Sequence, residues 1–463
     1  MRVLTREIIN KEGEQVELMG WVTTRRDHGK LIFIDLRDRS GVVQTVFLPV
    51  NKEVYENAQK LRSEWVIKII GKISRRPKGM ENPEIITGEF EIQAEKLEIL
   101  NPSETLPIFI DTDGREIGEE ARMKYRYLDL RRSRLQKNLK MRAEIIKFIR
   151  DFLIEKDFVE IETPILGKST PEGARDYLVP SRLESGKFYA LPQSPQQYKQ
   201  LLMVAGFERY FQIAKCFRDE DTRGDRQPEF TQLDLEMSFT DENEIIGLTE
   251  ELLISIIEKF FPEKKIWQKP FPQEIYGHIL EKHKTDKPDV RSDKNNNGEL
   301  AFLWVTDFPL FEYSETEKKL VSMHHLFTSP HLEDLETLDK NPKNVRARAY
   351  DIVLNGFEIG GGSIRIYQKD LQEKIFGILG LKQEIYRERF GHLLEAFNFG
   401  APPHGGIALG VDRLMAILLD EPNIREVIAF PKTGDGRDLM MGAPAEVGKE
   451  QLNELSIEIK KKR

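Results

Sequence analysis

The 463-residue sequence contains a single cysteine, Cys216, so no disulfide can form within the chain. No CxxC or other zinc-like spacing occurs, which argues against a structural zinc site. The sequence also lacks any run of about 18 apolar residues, and its first residues contain no apolar segment of the signal-peptide type. These absences exclude a disulfide-rich secreted scaffold and predict a cytoplasmic protein without a membrane segment.

The sequence has only a small excess of one sign of charge, with 78 acidic and 70 basic residues. The net charge is −8, with 39% hydrophobic and 32% charged residues, an ordinary balance for a chain long enough to form more than one domain. This balance argues against nucleic-acid binding by bulk electrostatics, but not against local basic patches. The largest such patch contains Arg126, Arg131, Arg132 and Arg134. Taken alone, it is more often a solvated face than a binding site.

The chain divides into three stretches of different pattern. Residues 1–103 read as five short strands and one helical segment, NKEVYENAQKLRS, which predicts a small OB-type barrel with an SH3-like barrel as the alternative. Prolines at 102 and 107 mark the start of residues 104–136, which then change from acidic to basic. This change of composition predicts a hinge between domains. Residues 137–463 mix helical and strand patterns. The whole chain is therefore predicted to be an α+β multidomain protein.

The segment at 211–239, FQIAKCFRDEDTRGDRQPEFTQLDLEMSF, has two strand-like runs around a polar loop. A strand–loop–strand hairpin of this kind can aim several side chains at one ligand. Arg218 stands at the end of the first run, where a guanidinium could hold a phosphate through two hydrogen bonds. A charged hairpin tip without function is an equally good interpretation of this segment alone.

The segment NGFEIGGGSIRIY, at 355–367, interrupts a strand pattern with three consecutive glycines. Glycine in a strand marks either a bulge or a close approach of the backbone to a ligand. Asp351 and Glu358 lie nearby, seven residues apart. Two carboxylates that converge on a phosphate would imply Mg²⁺, although the pair alone is weak evidence.

The segment GAPPHGGIALGVDRLMAILL, at 400–419, predicts a strand that leads directly into an apolar helix. Arg413 would stand at the start of that helix, where the positive end of the helix dipole suits an anion. Pairing of Arg413 with its neighbour Asp412 is the structural alternative.

These segments, taken together and in this order, resemble the motifs of class II aminoacyl-tRNA synthetases. Residues 150–166, which include FLIEKDFVEIETPIL, resemble motif 1, the dimer-interface element of that family. Residues 207–239 and 400–419 resemble motifs 2 and 3. Five further segments resemble bacterial-type aspartyl-tRNA synthetase in particular: STPEGARDYLVP, LPQSPQQYKQLLM, RDEDTRGDRQPEFTQLD, MHHLFTSP and AFPKT. Several long motifs in one order are far more specific than any one of them.

The resemblance implies a ligase that activates L-aspartate with ATP and Mg²⁺ and transfers the aspartyl group to the 3′ end of tRNA(Asp). No protein nucleophile is needed, so catalysis would rest on positioning and charge stabilisation. Arg218 would hold the α-phosphate and Arg413 the γ-phosphate, as the two catalytic residues, and Asp351 and Glu358 would hold the metal. The implied ATP-binding residues are Arg218, Asp219, Glu220, Gln227, Glu358, Gly410, Val411, Asp412 and Arg413.

The same resemblance implies an aspartate pocket. Lys199 and Arg365 would supply two cations for the side-chain carboxylate, and Glu172 and Asp234 would receive the ammonium group. A neutral amide would leave buried charges unpaired, at roughly 1–3 kcal/mol or more per group. The implied aspartate-binding residues are Glu172, Ser194, Gln196, Lys199, Arg218, Asp234, His324, His325 and Arg365.

The N-terminal barrel is expected to read the tRNA anticodon, because OB folds bind single-stranded RNA by aromatic stacking and polar contacts. Phe33 resembles the family residue that stacks on an anticodon base, although the alternation in LIFIDL by itself favours a core aromatic. The anticodon residues implied by the resemblance are Arg26, His28, Phe33, Gln44, Asn82 and Glu91. His28 resembles members that charge both tRNA(Asp) and tRNA(Asn).

The sequence departs from the family in one respect. Bacterial-type members carry an extra domain between motifs 2 and 3, whereas here the chain runs straight through a short segment at about 285–300. We expect the protein to be active without that domain. The alternatives are an asparaginyl-tRNA synthetase, a non-catalytic RNA-binding paralogue, and an amide ligase on the same catalytic domain. Lys199 counts against the first, the retained arginines against the second, and the N-terminal barrel against the third.

Overall fold

The computed structural model describes residues 2–170, 174–220 and 224–460. The chain divides into two compact units, Met1–Phe109 and Ile110–Arg463. The division falls six residues beyond the predicted boundary at 103. Residues 110–136, which the sequence predicts to be a hinge, belong to the second unit.

The first unit is a closed five-stranded barrel in the order β1-β2-β3-β5-β4, in which β3 and β5 pair in parallel. Its elements are a 3₁₀ helix (Thr5–Asn10), β1 (Gln15–His28), β2 (Leu31–Asp38), β3 (Gly41–Phe47), α1 (Lys52–Lys60), β4 (Val66–Arg75) and β5 (Phe90–Asn101). Alternate residues of β2, namely Ile32, Ile34 and Leu36, are buried in the barrel core. The predicted five strands and single helix are confirmed.

The second unit is built on an eight-stranded sheet in the order β12-β14-β17-β18-β19-β10-β9-β6. Its six central strands pair antiparallel, and only β12 and β6, at the two edges, pair in parallel. The strands of the unit are β6 (Val159–Glu160), β7 (Leu178–Pro180), β8 (Phe188–Ala190), β9 (Arg209–Phe217), β10 (Glu229–Ser238), β11 (Lys265–Ile266), β12 (Gln273–Ile275), β13 (Glu299–Leu300), β14 (Phe302–Thr306), β15 (Phe311–Ser314), β16 (Lys319–Ser322), β17 (Ala349–Leu354), β18 (Phe357–Ile364) and β19 (His404–Gly410).

Ten α-helices are described in this unit: α2 (Glu119–Lys124), α3 (Arg126–Asp129), α4 (Ser133–Ile154), α5 (Gln196–Val204), α6 (Glu242–Phe260), α7 (Tyr276–His283), α8 (Lys369–Ile378), α9 (Gln383–Ala396), α10 (Val411–Leu418) and α11 (Lys449–Glu454). Short 3₁₀ helices cover Leu332–Asp334, Pro342–Asn344, Phe397–Phe399 and Ile424–Glu426. Across the described ranges, no helix has the length and apolar character needed to cross a bilayer.

The two faces of the large sheet differ in chemistry, and β10 shows why. Its alternate residues Leu233, Leu235 and Met237 are buried in one apolar core with residues of α4, α6 and α10. Since successive side chains of a strand point to opposite faces, the residues between them, Asp234 and Glu236, lie on the other face. One face of the sheet is therefore the packed core, and the other is free to form a polar site.

The basic patch at 126–134 is not a solvated face. Arg126 and Arg132 are only 3% and 1% exposed. Asp129 accepts hydrogen bonds from Arg122, Arg126 and Arg132, and Arg122 also forks onto Glu426 at 2.7 and 3.1 Å. Arg126 donates to three backbone carbonyls between positions 425 and 429. Buried charges must be paired, so this network holds residues 122–134 in the second unit.

Candidate active site and candidate anticodon surface

A cavity of about 820 Å³ lies on the polar face of the large sheet. Strands β10, β17, β18 and β19, helix α5, the start of α10 and the loop that follows β9 all contribute residues to it. The residues expected from the sequence that line it are Ser194, Gln196, Lys199, Arg218, Glu220, Gln227, Asp234, His324, His325, Asp351, Glu358, Arg365, Gly410, Asp412 and Arg413. Residues more than 200 positions apart in the chain are thus brought to one cavity.

Two of the expected site residues, Asp219 and Val411, do not line the cavity. The Asp219 carboxylate lies 3.6 Å from Arg175. Val411 is buried in the apolar core, because the first turn of α10 directs it beneath the sheet. The cavity lining therefore does not support these two side chains, and their part in ATP binding stays a prediction. Glu172 lies outside the described residues.

Arg218 stands at the end of the hairpin formed by β9 and β10. Its guanidinium lies 5.1 Å from the centre of the Phe230 ring, close enough for a cation–π contact. No carboxylate in the described parts of the chain forms an ion pair with Arg218. The ring therefore orients the cation without neutralising it, which leaves its charge for an anionic ligand.

Arg413 lies in the first turn of α10. Its guanidinium donates to the backbone carbonyl of Glu358 and, at 3.2 Å, to the Asp225 carboxylate. Its Nε is buried and has no partner among the described residues. Asp412 does not pair with Arg413. It is held by Arg142 at 2.5 Å and by the backbone N–H of Thr231 at 2.8 Å.

Gln227 ties two parts of the cavity wall together. Its side-chain oxygen accepts from the Lys432 backbone N–H at 2.7 Å, and its amide nitrogen donates to the Lys432 carbonyl at 3.1 Å. Both ends of the amide are thus used by the segment AFPKT. Glu220, by contrast, is exposed at the rim, 3.5 Å from Arg226.

Four charged side chains form a buried quartet, of which Lys199, Asp234 and Arg365 line the cavity and Glu236 does not. The Lys199 Nζ lies 2.8 Å from Asp234 Oδ1 and 3.4 Å from Glu236 Oε2. Arg365 forks onto Glu236, with Nε and NH2 at 2.8 and 3.0 Å from the two carboxylate oxygens. All four are at most 2% exposed. The quartet thus contains two cations and two carboxylates of balanced charge.

Glu236 is a site residue that the resemblance did not supply. The sequence does carry a signal for it, because Gln232, Asp234 and Glu236 alternate with apolar residues along one predicted strand. Three polar residues on one face of a central strand predict a polar surface there. Phe230, which lies under Arg218, was missed in the same way, since a lone aromatic in a strand indicates only packing.

Burial and charge act on the two carboxylates differently. Burial raises the pKa of Glu236, but Arg365 and then Lys199 outweigh it and bring that pKa down to about 2. Burial dominates for Asp234, whose pKa is raised despite the Lys199 contact. Asp234 Oδ2 also has no hydrogen-bond partner among the described residues. It is an acceptor directed into a closed site and is suited to a cationic ligand group.

The pKa values of the two adjacent histidines shift in opposite directions. Burial, together with Arg365 and Lys199, holds the pKa of His325 well below its usual value, so His325 is neutral near pH 7. Burial also lowers the pKa of His324, but Asp351 outweighs it, and the net shift is upward. The His324 Nε2 lies 3.2 Å from Asp351 Oδ1. His325 therefore lies beside Arg365 of the quartet, and His324 lies beside the acidic Asp351.

Asp351 and Glu358 face the cavity from the neighbouring strands β17 and β18. Burial and the charge of Asp351 raise the pKa of Glu358. A side-chain Cβ at Gly361 would stand 2.5 Å from Asp351 Oδ1, so only glycine leaves that carboxylate its position. Among the described residues, no group of three or more metal-ligating side chains occurs. A cation at the two carboxylates would therefore need further oxygens from a substrate.

The first unit carries a row of polar side chains on the outside of its barrel. Arg26 forks onto Asp35 at 2.7 and 2.9 Å and reaches Gln44 at 3.4 Å. Gln44 donates in turn to Glu91 at 2.9 Å. Phe33 lies beside this row, opposite Arg26, and is only partly buried. It is not a core aromatic, because β2 turns Ile32 and Ile34 inward instead.

The other two expected anticodon residues lie apart from the row. His28 is exposed at the end of β1, next to a tight turn to Leu31 in which Gly29 has φ +61. Asn82 lies in the loop before β5, where its side-chain oxygen accepts from the Glu84 backbone N–H at 3.0 Å.

Family comparisons match both units. The family described as tRNA synthetases class II (D, K and N) matches residues 118–434, and the OB-fold nucleic acid binding domain family matches residues 16–100. The OB match agrees with the closed barrel and removes the SH3-like alternative.

Curated relatives match over nearly the full chain. An aspartate–tRNA(Asp/Asn) ligase of Rubrobacter xylanophilus is 45% identical over 570 aligned positions, which cover 96% of this chain and 95% of the relative. An aspartate–tRNA ligase of Bacillus licheniformis is 42% identical over 576 positions, which cover 97% of each.

Solved structures share the fold. The asparaginyl-tRNA synthetase of Pyrococcus horikoshii complexed with asparaginyl-adenylate superposes with a TM-score of 0.76 at 23% identity, over 94% of this chain and 98% of that one. A putative aspartyl-tRNA synthetase of Leishmania major matches with the same TM-score at 21% identity, over 93% of both chains. The family model matches residues 118–434, and relatives above 40% identity match almost the whole chain. The chain therefore belongs to the class II tRNA synthetases of the D, K and N group.

Proposed function

We propose that the protein is an aspartate–tRNA ligase, which activates L-aspartate with ATP and transfers the aspartyl group to tRNA. The observation that carries the proposal is the buried quartet of Lys199, Asp234, Glu236 and Arg365, of which Lys199, Asp234 and Arg365 line one cavity with Arg218. The relatives named as aspartate–tRNA ligases support the same activity.

The quartet suits aspartate because each of its groups has a matching part in the substrate. Lys199 has three N–H donors, of which Asp234 and Glu236 take two. Arg365 has five, of which Glu236, His325 and Ser363 take four, so each cation keeps one donor. The remaining donors can hold the substrate's side-chain carboxylate, and Asp234 Oδ2 can accept from its ammonium group. The amide of asparagine would present two N–H donors to these donors, at a cost of roughly 1–3 kcal/mol per mismatched group.

The activation step needs no nucleophile from the protein. The substrate's α-carboxylate oxygen forms a bond to the α-phosphorus of ATP, the bond to the bridging oxygen breaks, and pyrophosphate leaves with the electron pair. Arg218, oriented on Phe230, would stabilise charge at the α-phosphate, and Arg413 would hold the distal phosphates. The buried, unpartnered Nε of Arg413 supports its role as an anion ligand.

Asp351 and Glu358 would hold Mg²⁺. Two half-buried carboxylates of like charge, with the pKa of Glu358 raised, fit a hard cation that takes its other oxygens from phosphates. When bound, the ion would neutralise part of the phosphate charge. Gly361 keeps the space that Asp351 occupies beside it.

In the second step, a ribose hydroxyl at the tRNA 3′ end would take the aspartyl group from the adenylate, and AMP would leave.

The outer row of the barrel, Arg26, Gln44 and Glu91 beside Phe33, offers polar edges and a stacking ring for anticodon bases. His28 lies exposed at the edge of that surface. The relatives named for both tRNA(Asp) and tRNA(Asn) support charging of both tRNAs.

A homodimer is part of the proposal. The motif 1 region leaves apolar side chains exposed, with Val159 at 45%, Ile165 at 49% and Leu166 at 53%. A second copy of the chain would cover them.

The alignment with the Rubrobacter relative has 570 positions against 463 residues here, so at least 107 positions of the alignment have no residue in this chain. That difference supports the proposed absence of an internal domain.

The experiment that tests the function is ATP–pyrophosphate exchange with aspartate and, separately, with asparagine. We expect exchange with aspartate and at most a trace with asparagine. Exchange driven by asparagine alone would contradict the proposed specificity, and no exchange with either would contradict the proposed activity. Charging of tRNA(Asp) and tRNA(Asn) transcripts then tests the second step. Rejection of tRNA(Asn) would limit the function to one tRNA.

A further inference from the structure

The short segment between α7 and β13 contributes a wall to the main cavity. Residues 284–298 include most of the short segment, at about 285–300, where the sequence predicts that an internal domain is absent. Two of them, Asp286 and Lys287, line the cavity. They stand beside Gly356, Phe357 and Glu358 at the end of the cavity that holds the two acidic strands. Neither residue belongs to the ATP, aspartate or metal sets discussed above.

The segment is held firmly against the acidic strands. Arg291 forks onto Asp289 at 3.0 and 2.8 Å and donates to the backbone carbonyl of Asn296 at 2.9 Å, which closes the loop on itself. Pro288 is buried. A Cβ at Gly356 would meet the Cβ of Asp289 at 3.2 Å, so the segment lies directly on the turn that joins β17 and β18. The position of Lys287 is therefore tied to that of the strands bearing Asp351 and Glu358.

The charge on Lys287 is available to a ligand. The Lys287 ammonium forms no ion pair with any carboxylate in residues 2–170, 174–220 and 224–460. It lines the same cavity as Glu358, and Arg413, which donates to the Glu358 backbone carbonyl, lines that cavity too. Glu358 thus lies among two cations, Lys287 and Arg413, and the neighbouring acid Asp351.

This arrangement fits a ligand that carries several negative charges. Two carboxylates that hold a divalent cation, with a lysine and an arginine beside them, match the β- and γ-phosphates of a nucleoside triphosphate or free pyrophosphate. Lysine acts on phosphate as a point charge on a flexible stem, so a partly exposed position at the cavity rim is sufficient.

We propose that Lys287 binds the pyrophosphate portion of ATP and stabilises the charge that it gains when it leaves. The inference rests on the proposed function, because it assigns a residue to the leaving group of that reaction. It also gives the shortened segment a role in the site: it brings a cation to the open side of the acidic strands.

The test compares Lys287→Met, which keeps the length of the side chain and removes its charge, with Lys287→Arg. Initial rates of ATP–pyrophosphate exchange are measured with the full chain while ATP, pyrophosphate and aspartate are varied in turn. We expect Lys287→Met to raise KM for ATP and for pyrophosphate about tenfold, as loss of one charge-assisted contact would. KM for aspartate should stay within about twofold, and Lys287→Arg should restore most of the loss.

Lys282→Met is the matched control, since Lys282 is an exposed lysine of α7 outside the cavity. It should behave as the unaltered protein does. Thermal melting of each variant separates a folding defect from a binding defect. Unchanged KM values for ATP and pyrophosphate in Lys287→Met, with the unaltered protein active, would overturn the inference and leave the proposed function intact. Absence of exchange in the unaltered protein would overturn both.

Discussion

Replacing Glu236 by glutamine tests whether the buried quartet holds the catalytic unit together as well as binding substrate. Glutamine keeps the shape of the side chain and removes its charge. Lys199 and Arg365 would then share Asp234 as the only carboxylate of the quartet, at a site where all four groups are at most 2% exposed. Removing one partner from a buried ion pair leaves an uncompensated charge and typically costs about 3–5 kcal/mol.

The pKa of Glu236 gives an independent magnitude. A fall from 4.5 to about 2 corresponds to about 3 kcal/mol of stability, at about 1.4 kcal/mol per pKa unit. Because the folded-state value is the lower one, this contribution is complete above pH 4.5. It is lost as the pH falls from 4.5 towards 2. Glu236→Gln should therefore unfold about 3 kcal/mol more easily at neutral pH, and its difference from the unaltered protein should shrink below pH 4.5.

The assay is equilibrium unfolding in urea from pH 8 down to pH 3.5, where the free-energy difference is the midpoint shift multiplied by the slope. Glu242→Gln is the matched control, because Glu242 also forks onto an arginine, Arg348, but both are about a quarter exposed. A partly exposed pair should lose only about 1 kcal/mol or less. Equal losses in the two variants, or a Glu236→Gln difference that does not change below pH 4.5, would refute the reasoning.

Three further changes probe other parts of the molecule. Phe33→Ala should lower kcat/KM for tRNA charging about tenfold or more, the value of one stacked base, while exchange stays unchanged; equal losses in both assays would contradict an anticodon role. Gly361→Ala should raise the Mg²⁺ concentration for half-maximal exchange several-fold, because its Cβ would displace Asp351; an unaltered Mg²⁺ curve would exclude that carboxylate as a ligand. Arg142→Met should leave Asp412 buried without its cation, with about 3 kcal/mol lost in urea unfolding and a raised KM for ATP; normal unfolding and KM would show that Asp412 does not need this partner.

In the barrel, the strand pattern of the sequence predicted the strand itself but not the direction of every side chain on it. Alternation in LIFIDL predicted a strand correctly, but it left open which face Phe33 occupies. The polar Asp35, two residues further on, shares the face of Phe33 and was the available signal for an outward position. The partners that complete the surface, Gln44 and Glu91, come from β3 and β5, and only strand pairing brings them to Arg26.

The arginines at 126 and 132 show a limit of composition. In the sequence they form a basic patch, and such patches are usually solvated. In the structure they are buried because they find the partners that buried charge requires. Asp129 accepts from both, three backbone carbonyls beyond position 424 accept from Arg126, and Thr112 accepts from Arg132. Most of those partners lie some 300 residues away along the chain. No local pattern could therefore have predicted that residues 110–136 join the second unit.

What the sequence determined by itself is the set of elements and the motifs on them: five strands and a helix in the barrel, a hairpin bearing Arg218, a strand that leads into a helix at Arg413, and hence the family. These follow from local periodicity and from motif order. Tertiary structure alone decided which charges meet. Lys199 reaches Asp234 and Glu236 across 35 residues or more, and Arg365 reaches Glu236 across 129. Their charges, pKa shifts and selectivity arise only on burial together, because the strength of an ion pair depends on the water that folding removes from it.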